Sequence, residues 1–284
     1  MAKRNTVQGQ WSTALRGLTA ICLAASLSGC AVSAPATTPA PAPEPNVSEF
    51  QHLTDALIER ARRLDAMQAD ALMEYAGGGQ HVKVREDLAV KRPASLRVEA
   101  LTPFGVAAVI AANGSTVAAY QPSDNTFYRG VATADTLSRF ARIPLPPEQA
   151  VKLLMGLLPG SDANYTAPTS VHTEDEMLVG AYQMSAGEVD ELGFAGGQLR
   201  LVRTHGSSGA GYEVTYNDYR DIGGLQFAHR LDAKFLNTGT QLNVRYSGVI
   251  VNPNLNESQF VLAPKGKARL IDLDQPPAAV GGHG

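Results

Sequence analysis

Cysteine, tryptophan and long apolar runs are scarce in this chain. It has two cysteines and one tryptophan in 284 residues. The longest apolar stretch near the start, Gly17 to Gly29, is too short and too rich in Ser, Thr and Gly to cross a bilayer, which takes about twenty apolar residues. With Cys22 inside that stretch and Cys30 at its end, a structural disulfide in the rest of the chain is excluded. None of the six histidines pairs with another at metal-ligand spacing. The glycine clusters lack the Lys and the strand-turn-helix setting of a phosphate loop. His205-Gly206-Ser207-Ser208-Gly209 is not a nucleophile elbow, which needs Gly two residues to either side of the Ser. Glu174-Asp175-Glu176 are adjacent carboxylates that cannot converge on one cation without other ligands, so solvated charge is expected. His229 shares a strand face with Phe227 and Leu231, as a core or cavity histidine with a satisfied nitrogen would. No catalytic residue, metal site or cofactor is assigned, and no enzyme is expected.

The first residues have the parts of an export signal: Lys3, Arg4 and Arg16, an apolar run from Leu18 to Leu27, and small residues before a cut site. Leu27-Ser28-Gly29-Cys30 reads as a lipobox, so residues 1–29 are expected to be a lipoprotein signal peptide and Cys30 the lipidated first residue of the mature protein. An ordinary signal with an unmodified cysteine is the alternative. Buried methylenes contribute about 0.8 kcal/mol each, so two or more acyl chains hold a protein firmly to a membrane. Ala31, rather than Asp, after the anchor favours passage to the bacterial outer membrane, on its periplasmic face. The formal charge of −3 becomes more negative once the three basic signal residues are lost, which makes nucleic acid a poor partner. Residues 30–46 are the lipidated Cys and an Ala/Pro tether, because Ala31 to Pro45 cannot bury a core.

From residue 47 to 263 the pattern is that of one folded domain. Ser48 with Gln51 predicts a capping box, and Phe50, Leu53, Leu57, Ala61 and Leu64 recur at helical spacing, with Glu59, Arg60, Arg62, Arg63 and Asp65 on the wet side. Beyond Asp70 the period changes to two, as in Val82 and Val84, Leu96 and Val98, Tyr212 to Tyr216, and Leu242 to Tyr246. Turn signals such as Gly77-Gly78-Gly79, Asn113-Gly114 and Gly223-Gly224 separate about ten to eleven antiparallel strands. Two helical patterns interrupt them between Ala134 and Gly160. The second begins at Pro147, carries Ala150, Leu153, Leu154 and Leu157, and is expected to stop at Gly160. The fold class is mainly β with α, a half-open antiparallel β-barrel with an N-terminal helix and a helical plug. Residues 264–284 read as a flexible tail.

One turn carries an unexpected residue. Leu101-Thr102-Pro103-Phe104-Gly105-Val106 lies between two strands and places Phe104 where turns normally carry polar groups; either Phe104 folds back onto the core or it faces outward. The strand that follows, Val106 to Ala112, is apolar on both faces and built of small side chains, so a ligand or a helix covers it.

Thr102-Pro103-Phe104-Gly105, then Ile143-Pro144-Leu145-Pro146, then Leu154-Met155-Gly156-Leu157-Leu158-Pro159-Gly160 resemble, in order and spacing, the LolB family of outer-membrane lipoprotein receptors and the wider LolA/LolB-like lipoproteins. Lys91-Arg92-Pro93-Ala94-Ser95-Leu96-Arg97-Val98 is similar to a strand of the wider group. The resemblance implies an unclosed barrel with helices in its mouth, a cavity for acyl chains, and a loop whose apolar residue helps deliver cargo to the membrane. It gives Phe104 the loop role. It makes Leu96, Val98, Val106, Ala108, Ile110, Leu153, Leu154 and Leu157 the acyl-chain cavity. The implied partners are acylated lipoproteins or lipid, arriving from a soluble periplasmic LolA-like carrier, with the membrane reached through Cys30. The sequence departs from the family in lacking its tryptophans. A second reading is a non-catalytic structural or regulatory envelope lipoprotein of the same fold that binds a protein partner.

Overall fold

The computed structural model describes residues 46–184, 187–206, 211–264 and 266–275. The signal, Cys30 and all of the tether but Asn46 lie outside them, as do Ser207 to Ala210 and the last nine residues.

Helix α1 (Val47–Arg62) opens the domain. Its cap is Asn46 rather than the predicted Ser48–Gln51 box: the Asn46 side chain accepts from the Glu49 amide at 3.1 Å. Gln51 is turned inward, donating to the Tyr165 carbonyl at 2.9 Å and accepting from the Tyr182 hydroxyl at 3.2 Å. A first meander follows, made of β1 (Ala66–Gly77), β2 (Gln80–Lys91), β3 (Ser95–Thr102), β4 (Gly105–Asn113), β5 (Thr116–Gln121) and β6 (Thr126–Val131). Helices α2 (Ala134–Ala141) and α3 (Pro147–Met155) come next. A second meander runs through β7 (Ser170–Glu174), β8 (Met177–Gln183), β9 (Val189–Ala195), β10 (Gln198–His205), β11 (Gly211–Ile222), β12 (Leu225–Phe235) and β13 (Gln241–Val251). Strand β13 returns to pair with β1, Met73 facing Val244. The short β14 (Arg269–Asp272) then pairs in parallel with β6.

All fourteen strands form one sheet whose edges are β14 and β7, so it is unclosed. Ten to eleven strands were expected from the turn signals, and the excess has physical causes. The β7–β8 hairpin turns on Asp175 and Glu176 at φ 46° and 65°. Glycine or asparagine would normally mark such a turn. Strand β14 lies inside the stretch read as a flexible tail, which is therefore structured at Arg269–Asp272. Helix α3 ends earlier than expected, at Gly156 (φ 62°) rather than Gly160, because the glycine adopts the left-handed cap conformation.

Periodicity two puts alternate strand residues on the face covered by the helices, and one core joins them. Phe50, Leu57 and Ala61 of α1, Leu137 of α2 and Leu153 and Leu154 of α3 pack there with Met67, Leu88, Val98, Leu192, Val214 and Val244. Phe50 stands edge-on to Phe194 with ring centroids 5.5 Å apart. It fits because residue 180 is glycine: a Cβ there would lie 2.4 Å from the Phe50 ring. On the opposite face a small cluster of Ala66, Leu255 and Phe260 packs beneath the 3-10 turn Glu257–Phe260. Arg97 ties that turn to β3 by donating to the Gln259 carbonyl at 2.9 Å.

Candidate functional site

Phe104 faces outward. It is fully exposed, at 100%, on the tip of the β3–β4 hairpin. Local chemistry fixes the tip: the Thr102 hydroxyl donates to the Gly105 carbonyl at 2.8 Å and accepts from the Phe104 amide at 3.3 Å. Gly105 takes φ 117°, a value closed to other residues. Pro103 cannot donate, so the turn offers a phenyl ring and little polar surface. Val106 and Val82 are also exposed, at 38% and 39%. A β-bulge between Ala100 and Leu101 interrupts the register, so strand parity no longer fixes which face Val106 takes. Arg85, the cross-strand partner of Leu101, is exposed, and among the described residues no carboxylate pairs with it.

The eight residues assigned to an acyl cavity fall into two groups. Leu96, Val98, Ile110, Leu153, Leu154 and Leu157 are buried in the packed core. The gap between Leu154 and the ring of Tyr216 has no room for a water. Ala108 is half-buried and Val106 exposed, both toward the Phe104 end of β4. An acyl chain beneath the helices would thus require the helices to move.

What holds them was not legible as a motif. The carbonyls at the end of α3, which a helix leaves unpaired, are met partly by its own cap backbone and partly by side chains of other elements. The Tyr216 hydroxyl donates to Leu153 at 3.0 Å, and that of Tyr246 to Leu154 at 3.1 Å. Arg60 donates to Met155 at 3.3 Å and to Gly156 at 2.9 Å, and also to Gln226 on the rim of β12 at 3.0 Å. Sequence spacing put Arg60 on the wet side of α1; it is instead largely covered, and burial lowers its pKa. The side chain is long enough to bury its stem while its charge sits at the negative end of α3.

Across the helix-covered face of the first meander, Tyr246, Ala71, Glu86, Ala100 and Ala108 form one row. Oε2 of Glu86 is sealed from water with no hydrogen-bond partner among the described residues. Burial pushes its carboxyl up to about 7.

A second polar group lies at the other end of that face. Asp190 is 5% exposed. The Tyr165 hydroxyl donates to its Oδ2 at 2.6 Å and accepts from the Gly160 amide at 2.8 Å. Burial raises the carboxyl above its ordinary range. Beside it is a pocket of about 310 Å³, between the Pro144-Leu145-Pro146 link and the ends of β9 to β12. The remaining sequence-flagged groups are structural. Nδ1 of buried His229 bonds the Phe227 carbonyl oxygen at 3.1 Å. Glu174 is less solvated than expected, since it shares Arg203 with Glu191 and Glu213.

No family model and no curated protein sequence matches the chain. Solved structures do match it in fold. A DUF1329 family protein from Desulfovibrio piger is similar over 77% of this chain and 98% of its own, with a TM-score of 0.52 and 10% identity. A LolA superfamily protein from Nitrosomonas europaea is similar over 74% and 97%, with a TM-score of 0.50 and 12% identity. The chain therefore has the LolA-like fold. That likeness does not single out the LolB receptors.

Proposed function

We propose that this protein is a lipid-handling lipoprotein of the bacterial envelope. Anchored through Cys30 at the periplasmic face of the outer membrane, it accepts the acyl chains of lipoproteins, or another lipid, from a soluble carrier and passes them to the bilayer. The observation that carries the reading is Phe104, fully exposed on a hairpin tip whose backbone is fixed by Thr102. Burying such a ring in an apolar phase gains about 1.5–3 kcal/mol. Arg85 beside the hairpin base suits lipid phosphates. The LolA-like fold, the lipobox and the order of the three sequence blocks are consistent with it, and transfer of this kind needs no catalytic group at this protein.

The filled core sets the energetic condition. Admitting a chain means displacing α3 and breaking the four hydrogen bonds from Tyr216, Tyr246 and Arg60. At about 0.5–1.5 kcal/mol each, these cost about 2–6 kcal/mol. A dozen buried methylenes return about 10 kcal/mol relative to water. Cargo handed over by a carrier exchanges one apolar environment for another, so most of that gain cancels, and the cost of moving α3, which includes exposing its buried apolar face, sets when a chain can enter. Replacing Phe104 by Glu in the anchored protein tests the loop: envelope lipoproteins should accumulate away from the outer membrane. Normal localisation with a folded variant would end that role.

The same packed interior favours a second reading, a non-catalytic envelope lipoprotein that binds a protein partner on its surface. Stable co-purification with one partner and no lipid would establish it.

A further inference from the structure

The pocket beside Asp190 is unlike the rest of the helix-covered face. Asp190, Thr204, Tyr212 and Phe235 form one cross-strand row at its floor. The Oδ2 of Asp190 takes the Tyr165 hydroxyl, while Oδ1 accepts no hydrogen bond from a described residue and, unlike Oε2 of Glu86, is not a sealed orphan. A carboxylate 95% removed from solvent is costly unless something pairs with it, and Tyr165 supplies one neutral donor. The described lining contains a second carboxylate, Glu188, and neither Lys nor Arg. Leu145, Met184 and Phe235 supply apolar walls. The volume of about 310 Å³ admits a short alkyl chain with one polar end.

We propose that this pocket binds the protonated amine of an alkylamine amphiphile, with the ammonium on Oδ1 of Asp190 and the first carbons of the chain against Leu145, Met184 and Phe235. An ammonium has three donors and would complete the carboxylate that Tyr165 leaves half-satisfied. An anionic head would meet the carboxylates of Asp190 and Glu188, with no Lys or Arg among the described lining residues to offset them. The inference rests on this pocket and is independent of the role given to Phe104.

Residues 31–284, which keep every described element, can be titrated by amide NMR with hexylamine, 1-hexanol and hexanoate at neutral pH. Hexylamine should shift the amides of Asp190, Thr204 and Tyr212 saturably and bind at least tenfold more tightly than hexanol, with hexanoate weaker still. Asp190→Asn, in which Tyr165 still has an oxygen to donate to, should bring the amine down to the level of the alcohol. Should that variant fail to fold, Asn164→Trp on the exposed rim should block the amine without touching the carboxylate. Equal binding of amine and alcohol, or amine binding unchanged in the variant that folds, would overturn the proposal. Binding of N-acetyl-lysine methylamide as tight as that of hexylamine would overturn the assignment to an amphiphile.

Discussion

The guanidinium of Arg60 donates to the carbonyl of Gly156 at 2.9 Å, joining the first helix of the domain to the cap of the helix that plugs the sheet. With its bonds to Met155 and Gln226 it links three elements that the chain order keeps far apart. Removing it leaves those carbonyls short of a donor and takes a stem away from Phe227, whose ring centre is 5.9 Å from the guanidinium carbon. Arg60→Ala should therefore lower stability in urea by about 2–4 kcal/mol. Arg62→Ala, on the exposed side of the same helix, should cost less than about 0.5 kcal/mol. Equal effects would show that the cap contributes nothing.

Gly180 and Phe50 give a packing prediction. Any side chain at 180 must displace a ring whose atoms lie 2.4 Å from the position of the new Cβ. Gly180→Ala is expected to destabilise by about 1–3 kcal/mol, the range for overpacking. Thermal melts of this variant beside Gly196→Ala would separate crowding from backbone effects, since Gly196 has open space around it and only a positive φ to lose.

These two sites show what could and could not be read in advance. The helix stripe, the alternation of the strands and most hairpin turns follow from local patterns of apolar residues and glycine, and the structure contains them. Phe104 stood out because a phenyl group in a tight turn contradicts local rules. Arg60 did not, because helical spacing reports the direction of a side chain and not its reach. Tyr216 and Tyr246 read as ordinary inward strand residues, and nothing local reveals that their hydroxyls end a helix. The Asp175-Glu176 turn was hidden because it holds neither glycine nor asparagine, and Glu rarely takes the left-handed conformation it has here. Asp190 and Tyr165 meet across 25 positions, a relation only the tertiary fold creates.

Glu86 makes stability depend on pH. Its carboxyl is raised to about 7 in the folded protein from an ordinary value of 4.5. Between those values the folded state holds the proton more tightly than the unfolded one, so stability falls as pH rises through the window. Below pH 4.5 the group has no effect, and above about pH 7 the full penalty applies. Glu86→Gln should thus match the parent near pH 4.5 and exceed it by about 1–3 kcal/mol at pH 8 in urea titrations. A variant equal to the parent at both pH values would mean the carboxyl is better solvated than its sealed Oε2 implies.

Phe104 should matter for membranes and not for folding. Its side chain is fully exposed, so Phe104→Ala is expected to change stability by less than about 0.5 kcal/mol. Flotation of residues 31–284 with phospholipid vesicles should show reduced membrane binding for the variant. Binding unchanged by the substitution would remove the hairpin from the account.

Lipid handling itself is tested most directly by native mass spectrometry and lipid extraction of residues 31–284 purified gently from an envelope fraction. The account predicts an acylated protein or lipid at about one per chain, lost when Ala108→Trp fills the half-buried end of β4. A clean, unliganded chain under the same conditions would contradict it.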